Sequence, residues 1–159
     1  MSACSSTMRN PAEIQGTLVF FDLETTGPGP GCDIVQLGAV SGGYSFNLYV
    51  VPRCKIYKGA SALAGLRVRH HQLFFHRWPV PTKSHQEVLT AFLGFLQTLG
   101  RPLLVDHNVW QFDCPVLERA LEEVQLSHAF RQVVAGFLDT FSLCQELLKG
   151  QGLRTRRVW

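Results

Sequence analysis

A chain of 159 residues, 46% apolar and 17% charged, is long enough to enclose one hydrophobic core and too apolar for a disordered polymer. Fifteen Lys and Arg against twelve Asp and Glu leave a formal charge of +3, too mild to define a nucleic-acid protein and no obstacle to one. Five scattered cysteines with no Cys-x-x-Cys pair speak against a disulfide framework or a zinc site. No segment has the length of a membrane span or the apolar centre of a signal peptide, so the expected setting is intracellular, nucleus or cytoplasm, with no membrane partner.

Residues 1–16 are polar and read as a flexible leader. The first strand is predicted from Thr17 to Asp22, where Leu18, Val19, Phe20 and Phe21 form the unbroken apolar run of a strand buried on both faces. Asp22 and Glu24 follow two apart, so an extended chain points both to the same face. Two carboxylates held together repel and lose solvation unless a counter-charge joins them, and hard oxygen donors suit Mg²⁺ or Mn²⁺. The plain alternative is that both acids mark the solvated end of a strand. Thr25-Thr26-Gly27 adds a hydroxyl-rich turn, and Gly27 to Gly31 reads as a loop.

Asp33 to Val40 and Tyr44 to Val51 are predicted strands joined by the tight Ser41-Gly42-Gly43 connection, which makes the first three strands antiparallel. Lys58 to Leu66 reads as a short helix with turns. Ser84-His85-Gln86-Glu87 is a capping box, opening a helix to about Leu99 whose apolar face holds Val88, Leu89, Phe92, Leu93, Phe95, Leu96 and Leu99. Gly100-Arg101-Pro102 ends it. Leu103 to Val105 is then a strand parallel to the first by a crossover. Helices follow over Asp113 to Val124 and Ser127 to Val134, then a brief strand from Gly136 and a helix from Phe141 to Leu148. Arg67, Arg69, His70, His71, His76, Arg77 and Lys83 cluster mid-chain, and Arg154, Arg156 and Arg157 lie near the end. A solvated basic face accounts for both groups, and Phe74 and Trp78 are either core or a stacking surface for bases.

Phe20-Phe21-Asp22-Leu23-Glu24-Thr25-Thr26-Gly27 resembles the first motif of the DEDDh-type 3′→5′ exonucleases, and Asp106-His107-Asn108-Val109-Trp110-Gln111-Phe112-Asp113 resembles their second. The three residues between Asn108 and Phe112 are similar to the spacing in the three-prime repair exonucleases. Ala60-Ser61 with Gly65-Leu66, and Asp139-Thr140, match further family segments. The pattern is similar also to the exonuclease-like region at the C-terminal end of long PML proteins. The resemblance runs from about Thr17 to about Leu148. It implies an α/β ribonuclease H-like fold, a mixed five-stranded sheet flanked by helices, in a domain over 17–150. It implies catalytic and metal-binding roles for Asp22, Glu24 and Asp113, and substrate contacts from Leu23, Thr25, Thr26, Ala60, His107 and Asn108. Two Mg²⁺ or Mn²⁺ ions, a single-stranded DNA or RNA 3′ end as substrate, and homodimerisation also follow from it. For Asp113 the plain alternative is a helix-start acid favoured by the macrodipole.

The family's third motif is a histidine followed five residues later by an aspartate. His70, His71, His76, His85, His107 and His128 are followed there by Phe75, His76, Pro81, Thr90, Phe112 and Val133, so none qualifies. The expectation is a C-terminally truncated exonuclease ending in an aberrant basic tail, 151–159, with activity at least ~10³-fold down for want of the base. The competing reading is a catalytically silent module of the same fold that binds nucleic acid or protein.

Overall fold

The computed structural model describes residues 16–29 and 31–150. The expected leader (apart from Gly16) and the expected tail lie outside them. Three strands lead: β1 (Leu18–Thr25), β2 (Ile34–Ser41) and β3 (Tyr44–Val50), each antiparallel to the next. Helix α1 (Lys58–Ala64) is followed by three short strands, β4 (Leu66–Arg69), β5 (Gln72–Phe75) and β6 (Trp78–Pro79), which form a small antiparallel sheet of their own. The two-residue strand β7 (Thr82–Lys83) returns to the main sheet beside β3, and α2 (His85–Thr98) crosses over to β8 (Leu103–Asp106). Helices α3 (Asp113–Glu123) and α4 (Ser127–Val133), strand β9 (Gly136–Asp139) and helix α5 (Thr140–Gly150) complete the described chain.

The main sheet runs β7-β3-β2-β1-β8-β9, with β8 parallel to both β1 and β9. The predicted class therefore holds, an antiparallel trio followed by parallel strands, with one strand more than the expected five because β7 caps an edge. The acid-bearing strand lies in the interior of the sheet.

One face of this sheet carries the core. Val19, Phe21 and Leu23 of β1 join Leu37 and Ala39 of β2, Leu104 of β8, and the apolar faces of α2, α3 and α4 in one buried cluster. Helix α2 opens as its sequence dictates: the Ser84 side chain accepts from Glu87 N–H, and Glu87 reaches back to Ser84 N–H at 2.8 Å. It buries Val88, Leu89, Phe92, Leu93 and Leu96.

The expectation that β1 is buried on both faces is corrected. Phe20 is 51% exposed and Asp22 is exposed beside it, so the apolar run covers the core through alternate residues only. That exposure leaves the acids accessible.

The small sheet was not predicted. Its first turn, between Arg69 and Gln72, is made by His70 (φ 48°) and His71 (φ 63°). A two-residue hairpin loop of this twist needs positive φ, which Asn-Gly normally signals and His-His does not. The sheet docks through a second, smaller buried cluster of Val35, Leu66 and Leu73. Gly65 joins it to α1 at φ 70°, where an added Cβ would meet the His76 ring at 2.7 Å, so both conformation and space demand glycine there. No helix among the described residues is long and apolar enough to cross a membrane.

Candidate active site

Strand alternation places Phe20, Asp22 and Glu24 on the face of β1 turned away from the core. Across the ladder Asp22 faces Gly38 and Glu24 faces Gln36. Gly38 has no side chain to cover the carboxylate, and no heavy atom stands within 4 Å of where its Cβ would be. Glu24 is half-buried. Burial, then the Asp22 charge, raises its pKa above the ordinary carboxylate value.

The third predicted acid, Asp113, is the first residue of α3 and only 8% exposed. A fourth was not predicted. Asp106 ends β8, which pairs in parallel with β1 through Phe20 and Val105, so the end of β8 arrives beside Asp22. Burial foremost, and then the neighbouring Asp106 and Asp22 carboxyls, push the Asp113 pKa up to about 7. Asp106 is also raised: burial dominates and Asp22 adds, while the His107 N–H and the neighbouring Asp113 carboxyl partly offset them. Asp106 Oδ1 accepts the His107 N–H at 2.7 Å, whereas Oδ2 is buried with no hydrogen-bond partner of ordinary geometry. Asp106 and Asp113 therefore stand close enough for each to influence the other's titration. A strand-end acid on the neighbour of β1 was the signal that could have revealed it.

The predicted substrate contacts divide. Leu23 is 6% exposed and belongs to the core cluster, so its side chain lies on the opposite face from its acidic neighbours. The Thr25 hydroxyl donates to Gly27 C=O at 2.8 Å, and the Thr26 hydroxyl accepts from Asp33 N–H at 3.0 Å. Both therefore shape the turn. Asp33 fixes that turn further, bound by the Arg53 guanidinium at 2.6 Å. Burial alone would raise the Asp33 pKa, but the Arg53 hydrogen bonds and charge outweigh it and lower it. His107 is exposed, with Nδ1 3.1 Å from the Thr140 hydroxyl. Asn108 sits at φ 64° with its N–H bonded to Asp139 Oδ1 at 2.7 Å. Asp139 also accepts from Phe141 N–H and Ser142 Oγ, so it ties the second-motif loop to the start of α5. Ala60 lies on α1, partly exposed.

None of Asp22, Glu24, Asp106 and Asp113 forms an ion pair with another described residue. An all-oxygen donor set with an orphaned buried carboxylate oxygen fits a hard divalent cation in its chemistry. The side chains as they stand do not converge on one: among the described residues no three His, Cys, Asp or Glu groups are placed to hold a metal ion.

A mixed sheet led by three antiparallel strands, with acids on β1, at the end of the adjoining β8 and at the start of α3, defines an RNase H-like fold. Solved structures share this fold. A structure of exonuclease I in its apo form superposes with a TM-score of 0.71 at 17% identity, covering 91% of this chain and 34% of that one. The zinc-bound complex of the Escherichia coli enzyme with single-stranded DNA superposes at 0.69 and 16% identity, over 90% and 32%.

The chain belongs to the Exuperantia RNase H-like domain family, which matches residues 17–158. It is 27% identical over 152 residues to Protein PML of Mus musculus, covering 94% of this chain and 14% of that protein.

Proposed function

We propose that this domain is a metal-dependent nuclease that hydrolyses phosphodiester bonds at the 3′ end of single-stranded nucleic acid and releases nucleoside 5′-monophosphates. The observation that carries the reading is four acids gathered without a cationic partner at the adjoining ends of β1, β8 and α3. A folded domain does not hold such a group at no cost, and a divalent cation bound there would remove most of it.

Asp22, Glu24 and Asp113 are the residues that would hold the ion, with Asp106 beside them. When bound, such an ion supplies charge stabilisation at the phosphoryl oxygens and acidifies water. The chain's own part is to orient. Water attacks phosphorus, the P–O3′ bond breaks, and the shortened strand leaves with a free 3′ hydroxyl. Because Asp113 holds a proton near neutral pH, cation binding competes with that proton. No histidine stands in the family's base position, so turnover is expected at least ~10³-fold below that of a site with a positioned base.

The test is release of mononucleotides from a 3′-labelled single-stranded oligonucleotide. Slow release that needs Mg²⁺ or Mn²⁺, stops in chelator and is lost in Asp22→Ala supports the proposal. Release that survives chelator or Asp22→Ala sinks it. The second reading, a silent module of the same fold, is favoured by the acids' failure to converge on a single point. Oligonucleotide binding without any metal-dependent release is its signature.

A further inference from the structure

A cleft of about 750 Å³ lies between the segment after β3, helix α1 and strand β4. Its lining includes five cationic side chains, Arg53, Lys55, Lys58, Arg67 and Arg69, and no acidic one. Arg53 is already neutralised by Asp33 and Glu123 at 2.6 and 2.8 Å. The other four form no ion pair with any described residue. We propose that this cleft binds the phosphate backbone of a single-stranded polynucleotide and is a docking site for the strand outside the carboxylate cluster.

The geometry comes from secondary-structure periodicity. Arg67 and Arg69 are two apart on β4 and share a face of the strand. Lys58, Ser61 and Ala62 lie at i, i+3 and i+4 on α1 and form one wall. Four unneutralised cations around one concave surface repel one another, and an elongated polyanion relieves this along its length. A single small anion would meet only part of the array.

The cleft is also tied to the strand that carries Asp22 and Glu24. Tyr57, next in sequence to the lining residues Ile56 and Lys58, is 69% exposed. The same Tyr57 donates its N–H to Thr26 C=O at 2.8 Å, and its ring packs against Gly27. The cleft wall is therefore joined directly to the turn that follows Glu24. An added Cβ at Gly27 would lie 2.7 Å from the Tyr57 ring, so this junction is tight.

The inference extends the proposed nuclease reading, and its test is kept separate by working without metal. Binding of a 5′-fluorescein oligothymidylate is followed by anisotropy in chelator across a range of salt concentrations. The double variant R67E/R69E is expected to lose at least ~10-fold in affinity and to flatten the slope of log K against log salt by about 1.4, since each phosphate contact on a single strand contributes about 0.7. K55E/K58E reports on the opposite wall and gives a like loss. Arg77→Glu, an exposed cation outside the lining, is expected to change neither quantity by more than about twofold. Circular dichroism melts confirm that each variant is folded.

Unchanged affinity and slope in both double variants overturn the cleft. Equal weakening by Arg77→Glu overturns it too, because the attraction would then be general. Equal competition by poly-glutamate overturns the polynucleotide in favour of an acidic protein. If the cleft variants bind like wild type while Asp22→Ala still abolishes mononucleotide release, only this inference fails. If cleft-dependent binding persists with no metal-dependent release from any chain, only the nuclease reading fails.

Discussion

Asp113 shows how a single carboxyl can report on the whole site. In the unfolded chain its pKa is the ordinary 3.8, and in the fold it is pushed up to about 7. The folded protein therefore binds this proton more tightly than the unfolded chain. Stability contributed by that proton is present at low pH and is lost as pH rises between those two values. The loss is on the order of 2–4 kcal/mol, with Asp106 sharing in it. Asp113→Asn removes the ionisation, so its melting temperature should stay flatter over this window and exceed wild type by several degrees at neutral pH. A divalent cation supplied at neutral pH should raise the wild-type melting temperature and leave Asp113→Asn nearly unmoved. Thermal melts at several pH values, with and without Mn²⁺, read both effects. A wild-type stability independent of pH across this range would contradict the raised Asp113 pKa.

Among the elements, α2 is the most locally specified. Ser84 and Glu87 satisfy each other's backbone donors, and five buried apolar residues follow at helical spacing. Ser84→Ala should cost about 1 kcal/mol, the usual worth of such a cap, seen as a drop of about 2–4 °C in the melting temperature. A loss near zero would show that packing alone holds the helix start. The β4–β6 sheet is the opposite case. Its hairpin depends on two histidines at positive φ and on a glycine fitted against His76, features that no periodicity announces.

At the scale of the molecule the two sheets differ in how they are held. Twenty-two buried residues make the main cluster, whereas three hold the small sheet. Buried apolar area sets the free energy of opening, so the smaller unit should open first. Native-state hydrogen exchange should find the amides of β4 and β5 protected by a lower opening free energy than those of β1 and β2. Matching protection throughout would mean that the basic hairpin and the main sheet unfold as one. Such independence would let the cationic cleft adjust to a strand while the acids stay fixed on interior strands.

Most of the architecture was readable because it rests on short-range rules. Alternation placed Asp22 and Glu24 on one face, a capping box placed α2, and a helix between strands placed β8 parallel to β1. Asp22 and Glu24 share a face of β1 by that alternation, whereas the expectation for Asp113 came from the motif resemblance. What the linear chain left open were quantities set by neighbours distant in sequence. Phe20 belongs to an apolar run, yet its exposure depends on which elements pack over the sheet. Leu23, Thr25 and Thr26 sit inside a motif, yet their side chains are claimed by the core and the turn. Asp106 joined the acidic group only because β8 lies next to β1, and Lys58 met Arg67 and Arg69 only because α1 and β4 face one cleft. Local stereochemistry is written along the chain; burial, charge coupling and cleft shape are sums over contacts that exist only once the chain has folded.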